Sequence, residues 1–234
     1  MNKEANLSDL NFSLLLPHAD RLPRTIAQRT RRVYDTVASI YPASTFFFHS
    51  SAHACALRHA DIRNGMRVLE IATGSGEMFR RLVKSNPEGT TFGLDLAPNM
   101  AARTQKRARR EFPHAKSHCG AVDVRDLPFR SGTFDAVVCC YLLELLSRED
   151  IRLTLREIRR VLRSDGTFTL VVIGENGRLF NHLYSVCGKL APAFWGRQVE
   201  RDVPELVQET GLRIVTDQFV RQTGYPSRVL VARR

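Results

Sequence analysis

The sequence predicts an α/β fold: a mostly parallel, doubly wound sheet with helices on both faces. Three observations carry this. The short apolar run Val68–Ile71 passes through Gly74 and Gly76 into Glu77–Lys84, whose Met78, Leu82 and Val83 share one face; this is strand, glycine turn, helix. A second short run, Thr91–Asp95, ends in a carboxylate about 20 residues beyond the glycines, the spacing at which an acid meets two ribose hydroxyls. Phe134–Cys140 is almost wholly apolar, the pattern of a central strand covered on both sides.

The other elements follow in chain order. Val33, Tyr34, Val37, Ile40 and Tyr41 repeat at helical intervals behind the basic cluster Arg29, Arg31 and Arg32, and Pro42 is expected to end that helix. Ala52–Ala60 reads as a helix before the first strand, with His49, His53 and His59 as surface or helix-face residues. Asn86-Pro87 closes the helix begun at Glu77. Pro98 opens the next one, which runs to Glu111. Ala115–Val122 should hold the third strand, Asp150–Arg163 a helix with Ile151, Leu155, Ile158 and Leu162 inward, and Thr167–Ile173 the fifth strand. Val203–Thr210 is a last helix, and Leu212–Phe219 and Ser227–Ala232 are closing strands, one of them antiparallel.

The glycine turn is a poor phosphate cradle. It has no Gly-Lys-Ser/Thr, Phe79 stands where a dinucleotide site has its third glycine, and Glu70 and Glu77 are acidic. A nucleoside without phosphates and with positive charge fits better, S-adenosylmethionine among them.

Val68-Leu69-Glu70-Ile71-Ala72-Thr73-Gly74-Ser75-Gly76 resembles the first motif of the class I S-adenosylmethionine-dependent methyltransferases. Gly93–Met100 resembles their second, Asp123–Phe129 and Phe134–Val138 the third and fourth, and Leu155–Thr167 completes the series. The nearest pattern is that of the ubiquinone/menaquinone C-methyltransferases and bacterial phospholipid N-methyltransferases. Ala72 replaces the commoner glycine. Ser164-Asp165-Gly166 replaces Pro-Gly-Gly but keeps a residue that tolerates positive φ.

The resemblance implies a seven-stranded Rossmann-like methyltransferase sheet and S-adenosyl-L-methionine as cofactor, with no metal. It implies cofactor contacts at Glu70, Ala72, Gly74, Gly76, Asp95, Leu96, Met100, Asp123, Val124 and Cys140, the Asp123 carboxylate and Val124 N–H receiving adenine. Tyr34, Tyr41, Tyr141 and Glu144 are the candidates for acceptor contact or proton handling. The residues do not choose a base among them, and helix capping is an alternative role for Glu144. It further implies that residues 1–48 form a helical segment over the cleft and 49–234 the cofactor-binding domain, with an aromatic insert at about 175–200 that holds Trp195 and suits an apolar acceptor.

A net charge of +11 points to an anionic partner surface, nucleic acid or acidic phospholipid, or simply to solubility. Arg103, Lys106, Arg107, Arg109 and Arg110 make one helix face strongly basic; it reads as a solvated face or, more sharply, as a contact for anionic lipid head groups. Leu7, Leu10 and Leu14 with Phe12, Leu15 and Leu16 make an apolar helical face near the N-terminus, but with few basic residues. Five cysteines without Cys-x-x-Cys spacing read as reduced thiols. No stretch looks like a membrane span or a signal peptide, so the expected location is the cytoplasm, peripheral to the inner membrane surface. The expected acceptor is a small, lipid-soluble molecule. A nucleic-acid methyltransferase is the alternative favoured by charge, but Cys140-Tyr141-Leu142 lacks the Asn/Asp-Pro-Pro-Tyr signature of enzymes that modify nucleic-acid amines. A non-catalytic scaffold is the third reading, opposed by intact Glu70, Gly74, Gly76, Asp95 and Asp123.

Overall fold

Val68–Ile71 and Phe134–Cys140 lie side by side at the middle of one seven-stranded sheet. The computed structural model describes residues 41–176, 186, 197–222 and 225–234. The elements are α1 (Tyr41–His59), β1 (Arg67–Ile71), α2 (Glu77–Ser85), β2 (Thr90–Asp95), α3 (Pro98–Glu111), β3 (Lys116–Ala121), β4 (Phe134–Cys140), a 3₁₀ turn (Leu143–Leu145), α4 (Arg148–Val161), β5 (Leu162–Ile173), α5 (Val203–Glu209), β6 (Arg213–Val220) and β7 (Ser227–Arg233). Their order across the sheet is β3-β2-β1-β4-β5-β7-β6. Only β7 runs against the rest, antiparallel to both β5 and β6. The expectations for Tyr34, for residues 1–23 and for most of the aromatic insert with Trp195 fall outside the described residues; Tyr41 opens α1, but its side chain is also outside them.

Both faces of β4 are covered, as its apolar run requires. Phe134, Val137 and Cys139 join the core formed with Ile151, Leu155 and Ile158 of α4 and Val203 and Leu206 of α5. Ala136, Val138 and Cys140 join the core formed with Ala52 and Ala56 of α1 and Met78 and Leu82 of α2. Cys139 and Cys140 therefore face opposite sides and make no clip. Phe134 meets Phe129 edge-on at 4.8 Å between ring centres, a geometry worth about 1 kcal/mol beyond burial.

Three local expectations change. The helix expected at Ala52–Ala60 starts earlier, at Tyr41, with Pro42 in its first turn, where its missing N–H costs nothing; the helix expected before Pro42 lies outside the described residues. The helix before β5 stops at Val161, because Leu162 already pairs with Phe134. Gly166 lies inside β5 and is not among the glycines at positive φ. It is needed for close approach instead: a Cβ there would meet the Arg163 and Asp135 carbonyl oxygens at 3.1 Å each.

Strand order reverses between β1 and β4, so a crevice opens where their carboxyl ends diverge. Residues 72–76, 95–97, 122–124 and 141 all follow strand ends at that edge.

Candidate active site

The glycine loop is held by backbone and carboxylate together. Ala72, Gly74 and Gly76 have φ of 60°, 48° and 76°. Three left-handed residues in five turn the chain sharply enough for α2 to start directly above β1. Gly76 supplies no side-chain cap, so the first N–H groups of α2 face the crevice. The Thr73 N–H donates to the Leu94 carbonyl at 3.0 Å. Asp95 closes the arrangement. One of its oxygens accepts the Gly74 N–H at 2.8 Å and the other the Ala97 N–H at 2.9 Å. Those bonds fix the carboxylate at the end of β2, and it is 9% exposed, enough to meet a ligand.

Glu70 is 1% exposed and its Oε2 has no hydrogen-bond partner among the described residues. Burial, and after it the charge of Asp95, pushes its pKa well above the usual carboxylate range. A buried orphan oxygen beside a glycine turn fits a ligand that brings donors and positive charge. S-adenosylmethionine, with an ammonium and a sulfonium, has that chemistry. Met100, 1% exposed, sits in the first turn of α3, and half-buried Leu96 lies between it and Asp95.

Glu77 has a different role from the one its position suggested. It is held by Arg80 at 3.0 Å, Arg81 at 3.4 Å and Arg107 at 3.4 Å, so its charge is answered within the protein. Arg107 also donates to the Ser75 carbonyl at 3.4 Å and to Glu111 at 3.2 Å. The basic face of α3 is accordingly smaller than the sequence suggested. Arg103, Lys106, Arg109 and Arg110 are exposed, while Arg107 belongs to the loop support.

Asp123 is likewise engaged. Its oxygens accept the Arg125 N–H and Nε at 3.0 Å each and Nη2 at 2.6 Å. Arg125 reaches on to Asp150 at 2.8 Å, and Asp150 accepts from Ser147 Oγ at 2.7 Å. An adenine amine at this edge would share the Asp123 oxygens with Arg125. The Val124 side chain packs into the core with Leu127 and Phe129.

The other wall of the crevice starts at Tyr141. Its φ of 55° is unusual for a bulky residue and marks strain of the kind that clusters at functional sites. Its hydroxyl lies 2.8 Å from Ser227 Oγ, and Gln222 Nε2 donates to both, at 3.3 and 2.8 Å. Burial pushes the Tyr141 pKa above its ordinary value, so it stays a phenol near neutral pH, a hydrogen-bonding group and not a base. His53 is 4% exposed and its ring centre lies 6.0 Å from that of Tyr141; it is not a surface histidine, unlike His59. No sequence signal marks Gln222 or Ser227, which lie 81 and 86 residues from Tyr141.

Glu144 lies just beyond, in the 3₁₀ turn, 2% exposed. Its Oε1 accepts the Ile173 N–H at 2.6 Å, its own carbonyl accepts the Arg197 N–H at 2.8 Å, and Oε2 has no partner among the described residues. Burial pushes its pKa up to about 7. It ties the β4 tip to the β5 tip. Cys140, at the end of β4, is 9% exposed, and burial raises its thiol pKa well above the ordinary value. Among the described residues no group of three or more His, Cys, Asp or Glu could hold a metal.

Residues 68–166 match the family model described as a methyltransferase domain. Over that stretch the chain is similar to class I, S-adenosylmethionine-dependent methyltransferases. The 2-phytyl-1,4-naphtoquinone methyltransferase of Nostoc sp. is 26% identical over 143 residues, 59% of this chain and 62% of that protein. The malonyl-[acyl-carrier protein] O-methyltransferase of Laribacter hongkongensis is 33% identical over 159 residues, 65% of this chain and 52% of that one. The chain thus spans less than two thirds of the length of these methyltransferases. A solved structure of the [4+2]-cyclase SpnF superposes with a TM-score of 0.70 at 16% identity, covering 89% of this chain and 96% of that one. At that identity the likeness shows the fold alone, and the cyclase shows that this methyltransferase-like fold hosts more than one chemistry.

Proposed function

We propose that the protein transfers the methyl group of S-adenosylmethionine to a small, lipid-soluble acceptor, a phospholipid head-group amine or a polyprenyl quinol. The observation that carries the reading is the Asp95 carboxylate, clasped between the Gly74 and Ala97 N–H groups at the reversal of strand order, in a domain of methyltransferase type. The bound cofactor supplies a methyl group already activated on a sulfonium. The protein's part is to bind, orient and exclude water, which can remove several kcal/mol of the barrier. Asp95 would hold the ribose hydroxyls. Glu70, Ala72, Gly74, Gly76, Leu96 and Met100 would surround the amino-acid and ribose parts, and Asp123, Val124 and Cys140 the adenine side and methyl end. Tyr141 would orient the acceptor through its hydroxyl. Glu144 is placed to take a proton only if the acceptor reaches its Oε2, and its bond to Ile173 favours a positioning role.

Relatives that act on a naphthoquinone and on a malonyl thioester carrier support an acceptor with an oxygen-bearing, partly apolar body. The exposed Arg103, Lys106, Arg109 and Arg110 on α3 support peripheral contact with an anionic membrane from the cytoplasmic side. No helix among the described residues is long and apolar enough to cross a membrane. The same charges are the one observation that favours a nucleic-acid acceptor. Incubation with methyl-labelled cofactor and separate lipid, quinol and RNA fractions decides: label in lipid or quinol is expected, and label in RNA alone overturns the proposal.

A further inference from the structure

Beyond β4 the carboxyl edge of the sheet holds a cavity of about 430 Å³ lined by Asn176, Phe219, Arg221, Gln222, Tyr225 and Pro226. It lies over the tips of β5 and β6 and the start of β7, where Ser227 pairs with both Ile173 and Val220. It is continuous with the β4 tip: Gln222 forms part of its wall and also bonds Tyr141, and the Tyr225 and Tyr141 rings meet edge-on at 6.3 Å.

The polarity of this wall is fixed. The Ala52 N–H can only donate, and it meets Gln222 Oε1 at 3.1 Å. The amide is thereby oriented with its nitrogen toward the Tyr141 and Ser227 hydroxyls. The carboxylates on the neighbouring elements are committed elsewhere: Glu175 to Arg201, Asp217 at 2.7 Å to Arg228, and Glu200 at 3.9 Å to Arg228. Arg221 is exposed and has no ion-pair partner among the described residues. The cavity therefore has aromatic and proline walls, an amide whose hydrogen bonds are already made, and one uncompensated cation.

Resting on the methyl-transfer reading, we propose that this cavity is the acceptor subsite and that it takes an apolar or aromatic body carrying one anionic group, a carboxylate or a phosphate ester, which Arg221 meets. Such an anion would lie on the β6 side of the cavity and leave the rest of the acceptor toward Tyr141. A neutral acceptor of the same shape would leave the guanidinium with water alone, so of the two acceptor classes proposed above this subsite favours the phospholipid, which carries a phosphate ester, over the neutral quinol.

The test uses the full chain and three fluorescent probes of one shape: 2-naphthoate, 2-naphthyl phosphate and 2-naphthol. At least one anion is expected to bind at least tenfold more tightly than 2-naphthol, as for a lost charge-assisted hydrogen bond. The anion that binds better identifies the group. Arg221→Gln should bring its affinity down to that of 2-naphthol, and Tyr225→Ala should weaken all three. Both variants should bind S-adenosylhomocysteine as the parent does, which also shows that they are folded. Equal binding of 2-naphthol and the anions, unchanged anion affinity in Arg221→Gln, or no probe binding overturns the subsite. Failure of S-adenosylhomocysteine to bind the parent chain would instead overturn the methyl-transfer reading.

Discussion

The two walls of the crevice are built by different means. The wall proposed for the cofactor, over β1, β2 and β3, is made of backbone: three left-handed residues, an uncapped helix and a carboxylate held by two N–H groups. The wall proposed for the acceptor, over β4, β5 and β7, is made of side chains: Tyr141 and Glu144 after β4, and Gln222 and Ser227 from a second stretch, 81 and 86 residues beyond Tyr141. Backbone geometry is indifferent to most substitutions, so the first wall suits a ligand that never changes. Side chains can be exchanged one at a time, so the second suits a ligand that differs between relatives. The named acceptors of the Nostoc and Laribacter proteins differ in that way.

The largest expected effect falls on the acceptor wall. Glu144 has a folded pKa of about 7 against an ordinary 4.5. Below pH 4.5 it is neutral folded or unfolded and costs nothing. As pH rises toward 7 the unfolded chain ionises first and stability falls, levelling off above 7 at a loss of about 3 kcal/mol. Glu144→Gln, which keeps an acceptor for the Ile173 N–H, should match the parent in urea unfolding at pH 4.5 and exceed it by about that amount at pH 8. Equal stability at pH 8 would mean that Glu144 is not buried as described.

On the cofactor wall, Asp95→Ala removes the acceptor of two backbone N–H groups as well as the proposed ribose contact. Calorimetry with S-adenosylhomocysteine should show a loss of about 2 kcal/mol or more, and an unchanged affinity would remove Asp95 from the site. Arg107→Ala should weaken the same binding by about 1 kcal/mol through the Ser75 and Glu77 contacts, with a smaller difference at high salt. Arg107→Lys should restore only part of it. The smallest effect is a gain. Ala72 at φ 60° carries left-handed strain, and Ala72→Gly should raise the melting free energy by up to about 1 kcal/mol. A loss would show that the Ala72 methyl packs usefully in the half-buried position it occupies.

The same division explains what the chain made legible. The cofactor wall is local. Gly74, Gly76 and Asp95 stand within one strand–helix–strand unit, and their spacing in sequence is their spacing in space. β4 was readable because burial on both faces removes every polar residue but Asp135. The acceptor wall is not local. Nothing in Gln222 or Ser227 distinguishes them from other polar residues until β7 inserts beside β5. Glu77 misled because a carboxylate at a helix start looks available until the three arginines around it are seen. Of the surface and helix-face readings open for His53, only burial in the fold selects the second.

One further consequence concerns the order in which the molecule is made. Contacts that close the cofactor wall span 21 residues, from Gly74 to Asp95, whereas Tyr141 waits for Ser227, 86 residues later. Pairings so distant in sequence are slow to find, and chains leave the ribosome from the N-terminal end. A nascent chain can thus assemble the half proposed to bind the nucleoside while β7 is still being translated, and the pocket proposed for the acceptor is completed only when that strand slides in against the grain of its neighbours.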